Sequence, residues 1–139
     1  MIVLDTNVIS ELVRPRPDPN VVAWLEGLAE DAAITAVTLA ELMAGLLRLP
    51  DGRRRDLLTA SVHAAVEPYR ATAAVLAFDA HAADQYAEIV VARDLLGRPI
   101  STADAQIAAI CRARNATCAT RNTKDFESTG VELLDPWSA

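Results

Sequence analysis

The chain opens on Met1-Ile-Val-Leu, an apolar run too short for a helix and closed by Asp5, which reads as a buried strand. Asn7 to Val13 then reads as a helix, stopped by Pro15 and Pro17. Asp18-Pro19-Asn20 opens a second helix running to about Glu30, with Val21, Val22, Leu25 and Leu28 on its apolar side. Ala32 to Thr35 is a second short strand, and Val37 to Leu49 a helix ended by Pro50-Asp51-Gly52. Beyond it the pattern predicts a helix over Arg53 to His63, a strand near Val66 to Tyr69 and a short helix over Ala71 to Leu76. A long helix follows from Ala80 to Leu96, ended by Gly97. The last third predicts a helix over Ser101 to Arg114 and strands over Thr117 to Thr120 and Val131 to Leu134.

Strands that alternate with helices call for a mostly parallel sheet covered on both faces, a three-layer α/β/α sandwich. With 139 residues and no repeat, linker or low-complexity segment, the chain is expected to be one domain, 1–139. A hydrophobic share of 52% excludes disorder, and only 4% is aromatic, so alanine-rich helices are expected to pack closely. No apolar stretch approaches the roughly 20 residues that span a bilayer. The N-terminus lacks the basic and long apolar regions of an export signal. Cys111 and Cys118 fit a reducing cytoplasm; with no second pair and no nearby histidine they make neither a zinc site nor a disulfide framework.

The net charge of −6 and an isoelectric point near 4.8 argue against a general nucleic-acid coat protein. A nuclease remains compatible with that balance, because metal ions neutralise phosphate locally. Positive charge is clustered: Arg48 with Arg53-Arg54-Arg55, Arg14 with Arg16, and Arg112 with Arg114. These are either solvated helix surface or contacts for a phosphate backbone.

Four acids carry the chemistry: Asp5, Glu41, Asp104 and Asp125. Asp5 taken alone reads as a helix cap. Its place at a strand's carboxyl end is where open parallel sheets put their ligands. Glu41 is the only charged residue between Thr35 and Leu47, away from the Leu39, Leu42, Met43 and Leu46 stripe. A helix so apolar all round is expected to bury it, and a lone buried carboxylate needs a cation or a proton. Asp104 fits a capping box in Ser101-Thr-Ala-Asp104, yet shares the inward face of Ile107, Ala108 and Cys111. Asp125 lies in a polar turn past a strand, where Thr120 and Asn122 can add neutral oxygens. Carboxylates gathered at one sheet edge repel one another and call for divalent cations.

The wording of these segments resembles the PIN-domain ribonucleases, most closely the VapC/FitB-type toxins of type II toxin–antitoxin pairs. The matching phrases are Val3-Leu-Asp-Thr-Asn-Val-Ile-Ser-Glu11, Thr35 to Gly45, Gly97 to Ala109, Ala119 to Phe126 and Gly130 to Trp137. The likeness therefore runs end to end. It implies a parallel sheet between helices, a magnesium or manganese site, RNA cleavage, a homodimer, and inhibition by a VapB-like antitoxin. By position, Asp5 and Asp104 are implied as principal metal ligands, Glu41 as the third acid and Asp125 as the fourth. Thr6 and Asn7 match the signature beside the first acid. Arg14, Arg48, Arg53, Arg54 and Arg55 are the candidates for holding RNA backbone. Neither His63 nor His81 adjoins a carboxylate motif, which argues against a histidine acid–base mechanism.

Two other classes use the same acids. A phosphotransferase with Asp5 as nucleophile usually wants a second acid two residues on, where this chain has Asn7. A non-catalytic acidic-pocket binding module fits acids at strand ends, but does not account for the full set of motifs.

Overall fold

The computed structural model describes all residues, Met1–Ala139. Five short strands form one sheet: β1 (Ile2–Leu4), β2 (Ala32–Thr35), β3 (Val75–Leu76), β4 (Thr117–Ala119) and β5 (Leu133–Leu134). Their order is β3-β2-β1-β4-β5, and every pairing is parallel. The helices are α1 (Thr6–Leu12), α2 (Pro19–Glu26), α3 (Ala36–Leu47), α4 (Arg53–Ala71), α5 (Ala80–Leu95) and α6 (Thr102–Ala113), with a 3-10 turn over Thr123–Phe126. The α/β sandwich expected from the alternation is the one that forms.

β1 lies at the centre, and its unbroken apolar run is what a strand buried on both faces requires. Successive side chains point to opposite faces. Val3 joins a core with Ile89, Ile107, Ile110, Cys118 and Phe126, supplied largely by α5 and α6. Ile2 and Leu4 join the other core, with Val8, Ile9, Leu42 and Val62 from α1, α3 and α4. Alanine decides how tightly the first face closes. Ala105, Ala108 and Ala109 of α6 are fully buried, so α6 lies close against its neighbours.

Two expected elements between residues 66 and 76 are wrong. Val66 to Tyr69 is no strand but the continuation of α4, which buries Val62 and Val66 one turn apart. Ala71 to Leu76 is no helix; it holds the end of α4 and the two-residue strand β3. The stop signal there is an alanine. Ala73 adopts φ 55°, Ala74 N–H donates to Tyr69 O at 2.7 Å and Ala73 N–H to Arg70 O at 3.4 Å. That is the left-handed helix ending which glycine usually supplies. Ala73→Gly should therefore raise stability by roughly 0.5–1 kcal/mol, read as a higher thermal midpoint; an unchanged or lower midpoint would refute the strain. The second helix is also shorter than expected, ending at Glu26 with Gly27 as its cap rather than near Glu30. The expected terminal strand from Val131 shortens to β5. The stop at Gly97, with φ 69°, falls where the pattern put it.

Candidate active site

Because the strands run parallel, the carboxyl ends of β1, β2 and β4 open on the same edge; Asp5 follows β1, Thr120 follows β4, and α3, which follows β2, brings Glu41. Asp5 continues the ladder through its N–H, which donates to Ala119 O at 2.9 Å. Its Oδ1 caps α1 by accepting from Thr6 N–H at 2.8 Å. Its Oδ2 accepts from the Thr120 hydroxyl at 2.8 Å and from Asn7 Nδ2 at 3.3 Å. The capping role and the pocket role thus coexist in one carboxylate.

Thr6, Asn7, Thr120 and Asn122 all gather around these acids. Asn7 Nδ2 also donates to Thr120 Oγ1 at 3.2 Å, and Asn7 Oδ1 accepts from Arg121 N–H at 3.3 Å. Asn122 joins through its backbone N–H, which donates to Thr120 Oγ1 at 3.0 Å. Thr120 itself serves Asp5 as a donor. Thr6 reaches the other way and donates to Glu41 Oε1 at 2.7 Å, with Thr38 Oγ1 3.2 Å away.

Glu41 corrects one expectation. It is exposed, not buried, because its face of α3 looks onto an open groove instead of a packed neighbour. Asp104 stands half-buried in the first turn of α6, where Ser101 Oγ accepts from its N–H at 3.3 Å. Asp125 sits exposed on the 3-10 turn beyond β4.

Electrostatics tie these acids together. Asp5 is 4% exposed, and burial pushes its carboxyl up to about 6 from 3.8. Bonds from Thr120 and Thr6 work against that rise, while the charges of Asp104 and Glu41 add to it. Asp104 is also raised, first by burial, then by Asp125 and Glu41, with the Ser101 hydroxyl and Arg93 opposing. All four carboxylates therefore share one field. As the side chains stand, no three acidic, histidine or cysteine groups are close enough to share one ion. The donor set nonetheless fits a hard divalent cation: carboxylates from several elements, and one buried charge that its own fold opposes.

The five arginines separate into different roles. Arg14 pairs with the buried Glu11 at 3.1 Å, which also accepts from Asp18 N–H and so ties α1 to the start of α2. Arg55 turns to Asp51 at 2.6 Å. Arg48 caps the end of α3, exposed. Arg53 and Arg54 stand on the groove that Thr6 and Glu41 also line. Two arginines escaped the sequence reading. Arg121, beside Thr120, stacks its guanidinium 5.2 Å from the centre of the Trp137 ring. Arg93 lies buried behind Asp104 and Asp125; its signal was a cation on the inward stripe of Ala82, Tyr86 and Ile89.

The features so far define an α/β protein with an acidic pocket at the carboxyl edge of a parallel sheet. The chain belongs to the PIN-domain family, whose model matches residues 2–132. It is 41% identical to VapC ribonuclease Y4jK of Sinorhizobium fredii over 138 residues, 99% of this chain and 98% of that one. It is 40% identical to toxin FitB of Neisseria gonorrhoeae over 138 residues, 99% of each. The FitAcB structure from Neisseria gonorrhoeae superposes with a TM-score of 0.90 at 39% identity and covers 100% of both chains. VapBC2 of Rickettsia felis, bound to a DNA fragment from its promoter, gives 0.81 at 26% identity over 97% of this chain and 100% of that one.

Proposed function

We propose that the chain is the toxin of a toxin–antitoxin pair and a magnesium-dependent endoribonuclease, manganese serving as a substitute. The observation that carries this is Asp5, a buried carboxylate raised to about 6 by burial and by its acidic neighbours. Such a group is costly as an anion unless a cation meets it. Relatives that carry the names VapC ribonuclease and toxin FitB, over the whole chain, support the same activity.

Asp5 and Asp104 would hold the ion, with Glu41 and Asp125 contributing through water or at a second ion. An ion held there would supply Lewis acidity, lowering the pKa of a water and polarising the scissile phosphate. Thr120 and Thr6 orient Asp5 by their hydrogen bonds, and Thr6 also steers Glu41. Hydrolysis adds the water oxygen to phosphorus and breaks the P–O3′ bond, leaving a 5′-phosphate and a 3′-hydroxyl. Cleavage sites mapped on total cellular RNA test the reading. Cutting should be specific, stopped by EDTA and lost in Asp104→Asn; cutting that survives both rejects it.

Arg53, Arg54 and Arg121 are the cations placed to hold substrate backbone. Arg121 takes part in none of the chain's ion pairs, and Trp137 holds its guanidinium in place. Arg121→Ala should raise KM for RNA roughly fivefold with kcat unchanged, and lower the salt dependence of binding by about one ion. Unchanged KM and salt slope would remove Arg121 from the substrate path.

The partner surface is an open groove of about 1200 Å³ between α1, α3 and α4. Its floor is Leu42, Gly45, Leu46, Leu58 and Val62, and at one end it meets Thr6 and Glu41. An antitoxin segment would lay an apolar helix there and direct a basic side chain at the acids. A solved relative described as a member of the VapBC family of toxin–antitoxin systems, 28% identical, supports the existence of such a partner. No helix of the chain is long and apolar enough to cross a membrane.

A further inference from the structure

Arg93 of α5 is 4% exposed and takes part in none of the chain's five ion pairs. A buried guanidinium with no bonded carboxylate is costly unless polar groups surround it. Here three carbonyl oxygens do so. Arg93 Nε donates to Arg98 O at 2.7 Å, and Nη1 donates to Asp125 O and Glu127 O, each at 2.9 Å.

The contact with Arg98 is reciprocal, since Arg98 N–H donates to Arg93 O at 3.0 Å and closes the turn after α5. That fixes the guanidinium's own base. The contacts with Asp125 and Glu127 add to other ties of this segment: Thr129 Oγ1 donates to Phe126 O at 2.6 Å, and Arg98 pairs with the Glu127 carboxylate at 3.1 Å. The 3-10 turn has no side-chain cap, and its internal bonds are Asp125 N–H to Asn122 O at 3.0 Å and Glu127 N–H to Lys124 O at 3.4 Å. Phe126, 1% exposed, anchors its middle. Arg93 therefore grips the carbonyls on either side of that anchor. Its charge also acts on Asp104 and opposes the influence of Asp125 there.

We infer that Arg93 is a positioning residue: gripping the Asp125 and Glu127 carbonyls, it sets the Asp125 carboxylate against Asp104, and its fixed charge offsets their mutual repulsion. The inference rests on the metal-site reading given under Proposed function. Lysine keeps the charge but lacks the planar set of donors that reaches separate carbonyls. Arg93→Lys is thus the informative change.

The experiment is Mn2+ titration of the full chain without RNA, followed by calorimetry. Arg93→Lys and Asp125→Asn should each weaken Mn2+ binding about tenfold, the scale of supporting residues around metal ligands. The double variant should bind no more weakly than the weaker single one, because Arg93 acts through Asp125. Additive losses, or wild-type affinity in Arg93→Lys, overturn the inference while leaving the metal site intact. A wild-type chain that binds no Mn2+ overturns the metal-site reading and this inference with it. Thermal melting checks that the variants fold. Where Arg93→Lys does not fold, the wild-type chain answers: the Arg93 Nη1–H resonance, which reports the bonds to Asp125 O and Glu127 O, should move on Mg2+ titration along the same curve as the Asp125 amide. A resonance that stays still overturns the inference.

Discussion

Asp5→Asn should abolish Mg2+-dependent RNA cleavage, by at least about a thousandfold, and at the same time make the metal-free protein more stable at neutral pH. The second half follows from linkage. The Asp5 carboxyl sits at about 6 in the folded chain, against 3.8 as its ordinary value. The folded state therefore binds the proton more tightly than the unfolded state, and stability falls as pH rises from about 4 to about 6. Above that window the whole penalty is present, about 3 kcal/mol for a shift of this size. Asparagine is never charged, so it removes the penalty, although its amide cannot satisfy Thr6, Asn7 and Thr120 as a carboxylate does. The net gain should be several degrees in thermal midpoint in EDTA at pH 7.5, shrinking towards pH 4. Mg2+ should stabilise the wild-type chain at pH 7.5 and leave the variant unmoved. A variant that melts lower than wild type in EDTA would show that the buried charge is not the strained element.

Gly45→Leu should weaken antitoxin inhibition about a hundredfold, close to 2.7 kcal/mol of binding energy, while lowering RNA cleavage far less. Gly45 lies inside α3, where glycine costs about 1 kcal/mol relative to alanine. Nothing in the chain itself asks for that cost. A Cβ built at Gly45 meets no atom within 4 Å, and the position is exposed. It forms part of the groove floor between Leu42 and Leu46, so the room is left for a backbone from outside. Leucine there should stabilise the helix slightly while filling that room. Inhibition is read by titrating antitoxin into the cleavage reaction and folding by thermal melting. Wild-type inhibition would take the groove floor out of the interface.

The sheet was largely legible from the chain, because a strand buried on both faces shows as a short apolar run, as in Ile2–Leu4 and Ala32–Thr35. Asp5 and Asp104 were legible for a related reason, standing where such a run ends or where an inward helical stripe begins. The region around β3 was not. Its strand has two residues, and the helix before it ends on an alanine where a reader looks for glycine. The exposure of Glu41 was hidden because helical periodicity finds an apolar face but does not say whether a neighbour covers it. Arg93 and Arg121 depend on partners far along the chain: carbonyls of Asp125 and Glu127, and the ring of Trp137. No local pattern announces such contacts.

The hydrogen bond from Thr120 to Asp5 joins positions 115 residues apart, and Asp5 N–H is paired by Ala119 O. On a ribosome, the first strand must wait for the fourth before its aspartate has a pocket. A fragment that stops short of β4 therefore leaves Asp5 without the Thr120 donor and without the partner of its own N–H.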